Sequence, residues 1–197
     1  MKKTTPDRRI ARTQHSLHRA LNSLILEKGY EATTIQDIVG QANVGRSTFY
    51  AHHGSKEALL LSGLEHLRSA LLATAREPAT AAGIRSQPFL AFSSAFFEHV
   101  HAYGEILQVL LASDSGSVVT RKLKRLLTDV VRQELHRVQP EERNATVPRE
   151  ALVHFTVDAL LSILLWWFER SPKRSPADVD AIFRRLALPA LAAAGVA

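Results

Sequence analysis

The side chains of this chain that could act as bases or metal ligands are chiefly nine histidines, and no cysteine occurs among its 197 residues. Thiolate catalysis, cysteine-bound zinc and iron–sulfur clusters are therefore excluded. His52-His53 and His99-x-His101 lack the i, i+4 interval that brings two imidazoles of one helix onto a single ion. The sequence also contains no His-Glu-x-x-His pair, nucleophile elbow or glycine-rich phosphate cradle, so no enzymatic activity, metal or cofactor is expected. The remaining chemistry is that of charge. Lys and Arg number 25 against 19 Asp and Glu, a net charge of +6. Residues 1–28 hold Lys2, Lys3, Arg8, Arg9, Arg12, Arg19 and Lys28 against Asp7 and Glu27, which places +5 of that charge in one local patch. Such a patch suits an anionic partner.

The elements that must position these groups are helices. Apolar residues recur at helical spacing almost throughout, and no segment alternates at period two over the length of a strand, which predicts an all-α protein. The first helix spans about Asp7 to Lys28, with Ile10, Leu17, Leu21, Leu24 and Ile25 on one face and Gly29 as its stop. Thr34-Ile35-Gln36-Asp37 is a capping box that opens a short helix, whose Ile35, Ile38, Val39 and Ala42 form a buried stripe. Asn43 is a turn former that tolerates a left-handed backbone. A second short helix follows from Val44 to His52, with Val44 and Phe49 turned inward, and the pair makes a helix-turn-helix candidate. Ser55 caps a long helix to about Arg76, and residues 77–88 read as a loop or a broken helix. Further helices are expected over Pro88–Leu111, Val118–Val138 and Pro148–Arg170, with a linker at residues 113–117 and a polar loop at 139–147. A last one is capped by Ser175, and Pro189 should bend or end it.

The segment Thr33 to Leu60, TTIQDIVGQANVGRSTFYAHHGSKEALL, resembles the DNA-binding signature of TetR-type transcriptional regulators. The shared marks are the Thr-capped helix, the turn from Ala42 to Val44, the run Ser47-Thr48-Phe49-Tyr50, His52, and Ser55-Lys56 at the start of the next helix. With the basic first helix the likeness covers about residues 7 to 60, and beyond it only the helical architecture is shared. Asn43 stands where Gly is commonest, Gly45 where Ser is frequent, His53 where Phe is usual and Ala58 where an acid is common.

The resemblance implies a three-helix DNA-binding domain over residues 1–54 and a helical effector-binding and dimerisation domain over residues 55–197. It implies a non-enzymatic, cytoplasmic, ligand-responsive repressor that binds palindromic double-stranded DNA as a homodimer. The alternative is a co-regulator or activator of the same fold, acting through a protein partner or small metabolite. At the DNA, Arg46 can fork onto guanine, with Ser47 and Thr48 as further base readers beside Gly45 at the start of that helix. Thr33, Thr34, Tyr50, His52 and Lys56 suit phosphate oxygens, and Arg8, Arg9 and Arg12 suit salt-dependent, sequence-independent attraction.

The second domain supplies two further sets of candidates. Phe92, Phe96, His99, Tyr103 and Leu107, with Phe155 and Asp158, have the makings of an apolar effector pocket with polar anchors, although an aromatic stripe of this kind equally suits a plain core. The helix from Pro148 to Arg170 is dry all round and must be covered on both sides. Its Leu161, Leu164, Leu165 and Phe168, with Ile182, Phe183 and Leu186 of the last helix, are the expected dimer face. The driest run, Ala159 to Phe168, is ten residues long. That is short of the ~20 a bilayer requires, so no membrane span is expected. The N-terminus has no apolar run, so no secretory signal is expected.

Overall fold

The computed structural model describes residues 6–76, 90–114, 116–138, 147–171 and 173–196. The expected loop over residues 77–88, the aromatic Phe89, most of the polar loop at 139–147, and Lys2 and Lys3 lie outside these. Among the described residues the elements are all helical: α1 (Pro6–Lys28), α2 (Ile35–Ala42), α3 (Arg46–His52), α4 (Lys56–Arg76), α5 (Phe92–Ala102), α6 (Gly104–Leu111), α7 (Gly116–Val138), α8 (Arg149–Arg170) and α9 (Pro176–Ala193).

Local sequence signals set most helix ends. Gly29 adopts φ +82 and its amide donates to Ile25 O, which closes α1. Both capping boxes form, Thr34 with Asp37 and Ser175 with Asp178. Ser55 Oγ accepts the Ala58 amide at 3.0 Å at the start of α4. Two expectations are corrected. The helix expected to run unbroken to Leu111 divides at Tyr103 and Gly104, where the weak helix former Gly starts a new segment. Pro189 does not end α9, which continues to Ala193. Ala187 and Leu191 flank it and are both buried, so packing on either side of the proline offsets the hydrogen bond it cannot donate. At the other hinge between helices, a Cβ on Gly116 would stand 2.5 Å from the Leu111 carbonyl oxygen, so the approach of α6 to α7 there requires glycine.

The chain divides into two compact units, Met1–Glu65 with Gly104–Arg121, and His66–Tyr103 with Lys122–Ala197. This differs from the expected boundary at residues 54/55. Leu59 of α4, Leu110 of α6 and Val119 of α7 are buried in one core with Leu17, Leu21, Ile25, Ile38 and Phe49, so three later elements complete the first unit. The core of the second unit is built from Phe92, Phe96 and Phe97 of α5, Leu127 and Val130 of α7, Val153, Leu160 and Trp167 of α8, and Phe183 and Leu191 of α9. Its aromatic rings meet edge to face, Phe97 lying 6.0 Å from Trp167 and 6.1 Å from Phe183.

Helix α8 is longer and drier than the ten-residue run suggested. By length and composition it is apolar enough to cross a membrane, its driest 18-residue window having a mean hydropathy of 1.7. His154 and Asp158 interrupt the run of apolar letters without lowering the average enough to matter. Leu152, Val153, Thr156, Val157, Leu160, Leu164 and Trp167 of this helix are buried inside the second unit, and 39% of its driest window is covered there.

Candidate nucleic-acid interface

The site is assembled around Phe49. This side chain is fully buried against α1, α2 and α4 residues, and it fixes the rotation of α3 so that the opposite face is left in solvent. The turn before α3 depends on Asn43, whose backbone sits at φ 52, ψ 49 with its amide donating to Gly40 O. Asn tolerates that left-handed conformation, so it fills the role expected of it. Gly45 is the N-cap of α3 with extended backbone and no side-chain cap bond. On the outward face Gly45, Arg46, Ser47 and Tyr50 are exposed, and Thr48 and His52 are partly so. An unburdened guanidinium, two hydroxyls and a phenol on one short helix form a set of donors able to meet the acceptors of a major groove.

Helix α2 is held by a denser network. The Thr34 amide and hydroxyl both donate to Asp37 Oδ2, at 2.8 and 2.6 Å, and Lys28 Nζ donates to the same oxygen at 2.7 Å. The Lys28 hydrogen bond first, and then the Thr34 bonds, hold the Asp37 carboxyl well below the usual carboxylate range. Thr34 itself remains exposed. Gln41 ties α2 to α1 through Ser23 Oγ at 3.0 Å.

Two residues expected at phosphates are engaged elsewhere. Thr33 is 1% exposed and its hydroxyl donates to Gly29 O at 2.7 Å, which makes it part of the turn after α1. Lys56 Nζ donates to Tyr30 O and Thr33 O, each at 2.7 Å, and stands 4.2 Å from the centre of the Tyr30 ring. Burial lowers the pKa of this ammonium. Three carbonyl and ring partners around one cation make Lys56 a clamp between α4 and the turn that leads into α2. Arg8, Arg9 and Arg12 are exposed along the first half of α1, as expected.

His53 is a residue whose environment the sequence did not disclose. It is 7% exposed, its ring lies 6.1 Å from His18 and 6.0 Å from Phe49, and its Nε2 finds no hydrogen-bond partner among the described residues. Burial, and secondarily the charge of His52, lowers its pKa.

The residues expected to line an effector pocket differ widely in burial. Phe92 and Phe96 are fully buried core side chains, whereas Phe155 and Tyr103 are nearly half exposed. Leu107 belongs to the first unit and packs on its core. Asp158 is exposed and pairs with Lys124 at 2.6 Å. His99, partly buried with its pKa lowered by burial, lies 4.7 Å from the Tyr103 ring with the two planes tilted by 37°. Among the expected dimer residues, Leu164 and Phe183 are buried within their own unit and cannot face a partner. Leu161, Phe168 and Ile182 are partly exposed, and Leu165 and Leu186 are 47% and 63% exposed, so an apolar band remains on α8 and α9.

A capped short helix, a left-handed turn and a second short helix with an outward polar face, mounted on a basic first helix, define a helix-turn-helix DNA-binding unit. Residues 18–62 match the family description "Bacterial regulatory proteins, tetR family", and residues 89–188 match "Transcriptional regulator C-terminal region". Over 55 residues, 27% of this chain, the sequence is 44% identical to the uncharacterized HTH-type transcriptional regulator YxbF of Bacillus subtilis (strain 168). That stretch spans 14% of the relative's length. The structure is similar to a TetR transcriptional regulator from Streptococcus agalactiae 2603V, with TM-score 0.62 and 26% identity over 92% of this chain and 96% of that one. It also shares its fold with Thermus thermophilus FadR, a TetR-family transcriptional repressor crystallised with lauroyl-CoA, at TM-score 0.55 and 23% identity over 89% and 93% of the two chains. The chain belongs to the tetR family of bacterial regulatory proteins.

Proposed function

We propose that this chain is a ligand-responsive repressor, working in the cytoplasm as a homodimer on a palindromic operator. The observation that carries the proposal is the exposed face of α3, where Arg46, Ser47 and Tyr50 stand clear of the protein while Phe49 behind them is fully buried. In this reading Arg46, Ser47 and Thr48 meet base edges, and Thr34, Tyr50 and His52 meet phosphates from either side of the turn. Thr33 and Lys56 serve the same surface indirectly by holding the turn that presents Thr34.

One such helix reads a few base pairs, and operators of this class are read by two copies about 34–36 Å apart. The apolar band of Phe155, Leu165 and Leu186 is the surface that supports pairing of two chains. Small-molecule control is supported by the lauroyl-CoA complex of the FadR relative and by the single span of α4, whose Lys56–Glu65 belongs to one unit and His66–Arg76 to the other. An effector that favours one setting of α4 changes operator affinity by ~1–3 kcal/mol, and DNA changes effector affinity by the same factor.

The test is selection of duplexes from a randomised library by the full-length chain, followed by gel retardation over a salt series. An inverted-repeat consensus retained in competition with unselected DNA supports the proposal. Recovery of no consensus, or of one half-site bound by a single chain, contradicts it.

A further inference from the structure

Helix α3 begins with the arginine that the proposed function assigns to base reading. A guanidinium on four rotatable bonds at an exposed helix end samples many directions in solution, and ordering it on DNA costs rotamer entropy. Arg46 is not free in this way. Its Cζ lies 5.8 Å from the centre of the Tyr50 ring, one helical turn on, within the range of a cation–π contact. Among the described residues no carboxylate pairs with Arg46, so this ring is what directs it.

The ring is itself held. Tyr50 is 47% exposed on its outer side, while its inner side meets Phe49 at 5.4 Å with the two ring planes at 90°. Phe49 is fully buried in the core of the first unit. A line of contacts therefore runs from the core through Phe49 to Tyr50 and from there to the Arg46 guanidinium.

We propose that Tyr50 is a positioning residue that holds Arg46 in the orientation for base recognition, and so sets sequence choice without touching the base. This rests on the assignment of α3 as the reading helix. It differs from the phosphate role of Tyr50 in a testable way, because positioning needs the aromatic face and phosphate binding needs the hydroxyl.

The experiment uses the full-length chain and a duplex it selects from a randomised library, together with every single base-pair change of that duplex. Competition binding at fixed salt gives the discrimination at each position. Arg46→Ala identifies the base pair that Arg46 reads. Tyr50→Leu is expected to lower discrimination at that pair about two- to fivefold and at no other, and Tyr50→Phe to retain it. In the Arg46→Ala background, Tyr50→Leu is expected to change discrimination nowhere. Tyr50→Gln repeats the measurement should the leucine variant fold poorly, a substitution suited to a half-exposed position. Uniform weakening of all duplexes by Tyr50→Leu, with discrimination at the Arg46 base pair unchanged, would overturn positioning and leave Tyr50 the phosphate contact alone. Unchanged discrimination in Tyr50→Leu and Tyr50→Gln would overturn it as well. If Arg46→Ala alters discrimination at no base pair, the base-reading assignment itself fails, and positioning with it.

Discussion

At the scale of single residues, two buried titratable groups carry opposite pH signatures. His53 has a folded-state pKa below the ordinary imidazole value because burial disfavours its charged form. The unfolded chain then binds the proton more readily, so the stability contributed by neutral His53 is full above the ordinary imidazole pKa of about 6.5 and is lost as the pH falls from there through the lower folded-state pKa. His53→Phe is expected to raise the melting temperature at pH 5.5 more than at pH 8 in paired thermal scans, and an equal shift at both would refute the assignment. Glu134 of α7 behaves in the reverse sense. Its side chain is inaccessible, and burial pushes its pKa up to about 7 against the weaker opposing pulls of Arg137, 3.7 Å away, and of the Ala91 and Leu90 amides. Stability associated with the protonated form is full below the unfolded carboxyl pKa and is lost as the pH rises through about 7. Glu134→Gln is accordingly expected to stabilise the protein at pH 8, with the advantage closing toward pH 5.

At the scale of elements, the short helices depend on their ends. Thr34→Ala removes the capping box of α2 and is expected to cost ~1 kcal/mol in urea unfolding. Gly45→Ser should add a few tenths of a kcal/mol to α3, since a Cβ there meets only Ser47 and Thr48 hydroxyls at 3.7 Å. Signals of this kind were legible in the sequence because a cap is written within four residues: Thr34 with Asp37, Ser175 with Asp178, and Asn43 at its turn all form as their spacing predicts. The clamp from Lys56 to the Tyr30 carbonyl joins residues 26 apart, and nothing in local spacing announces it. The Arg46 and Tyr50 contact lies between these cases, since its i, i+4 interval was visible but the orientation of the ring depended on Phe49 behind it. Helix α8 was hardest to orient from sequence, because a helix apolar on all sides carries no moment to say which residues turn inward. Leu164 therefore proves to be core while its neighbour Leu165 is exposed.

At the scale of the whole molecule, the proposed repressor joins two chains by their second units and reads DNA with their first. Leu165→Glu combined with Leu186→Glu places two charges on the exposed apolar band and is expected to give monomers by sedimentation with the helical content unchanged. A dimer that survives both changes would move the interface elsewhere. The measurement that bears most directly on the central claim is the binding of the wild-type chain and Arg46→Ala to the selected inverted repeat and its single base-pair variants. The account predicts that the wild type discriminates at symmetric positions in both half-sites, and that Arg46→Ala loses ~1–3 kcal/mol of discrimination at one pair in each. Retention of every duplex with equal affinity, or discrimination untouched by the loss of Arg46, would contradict it.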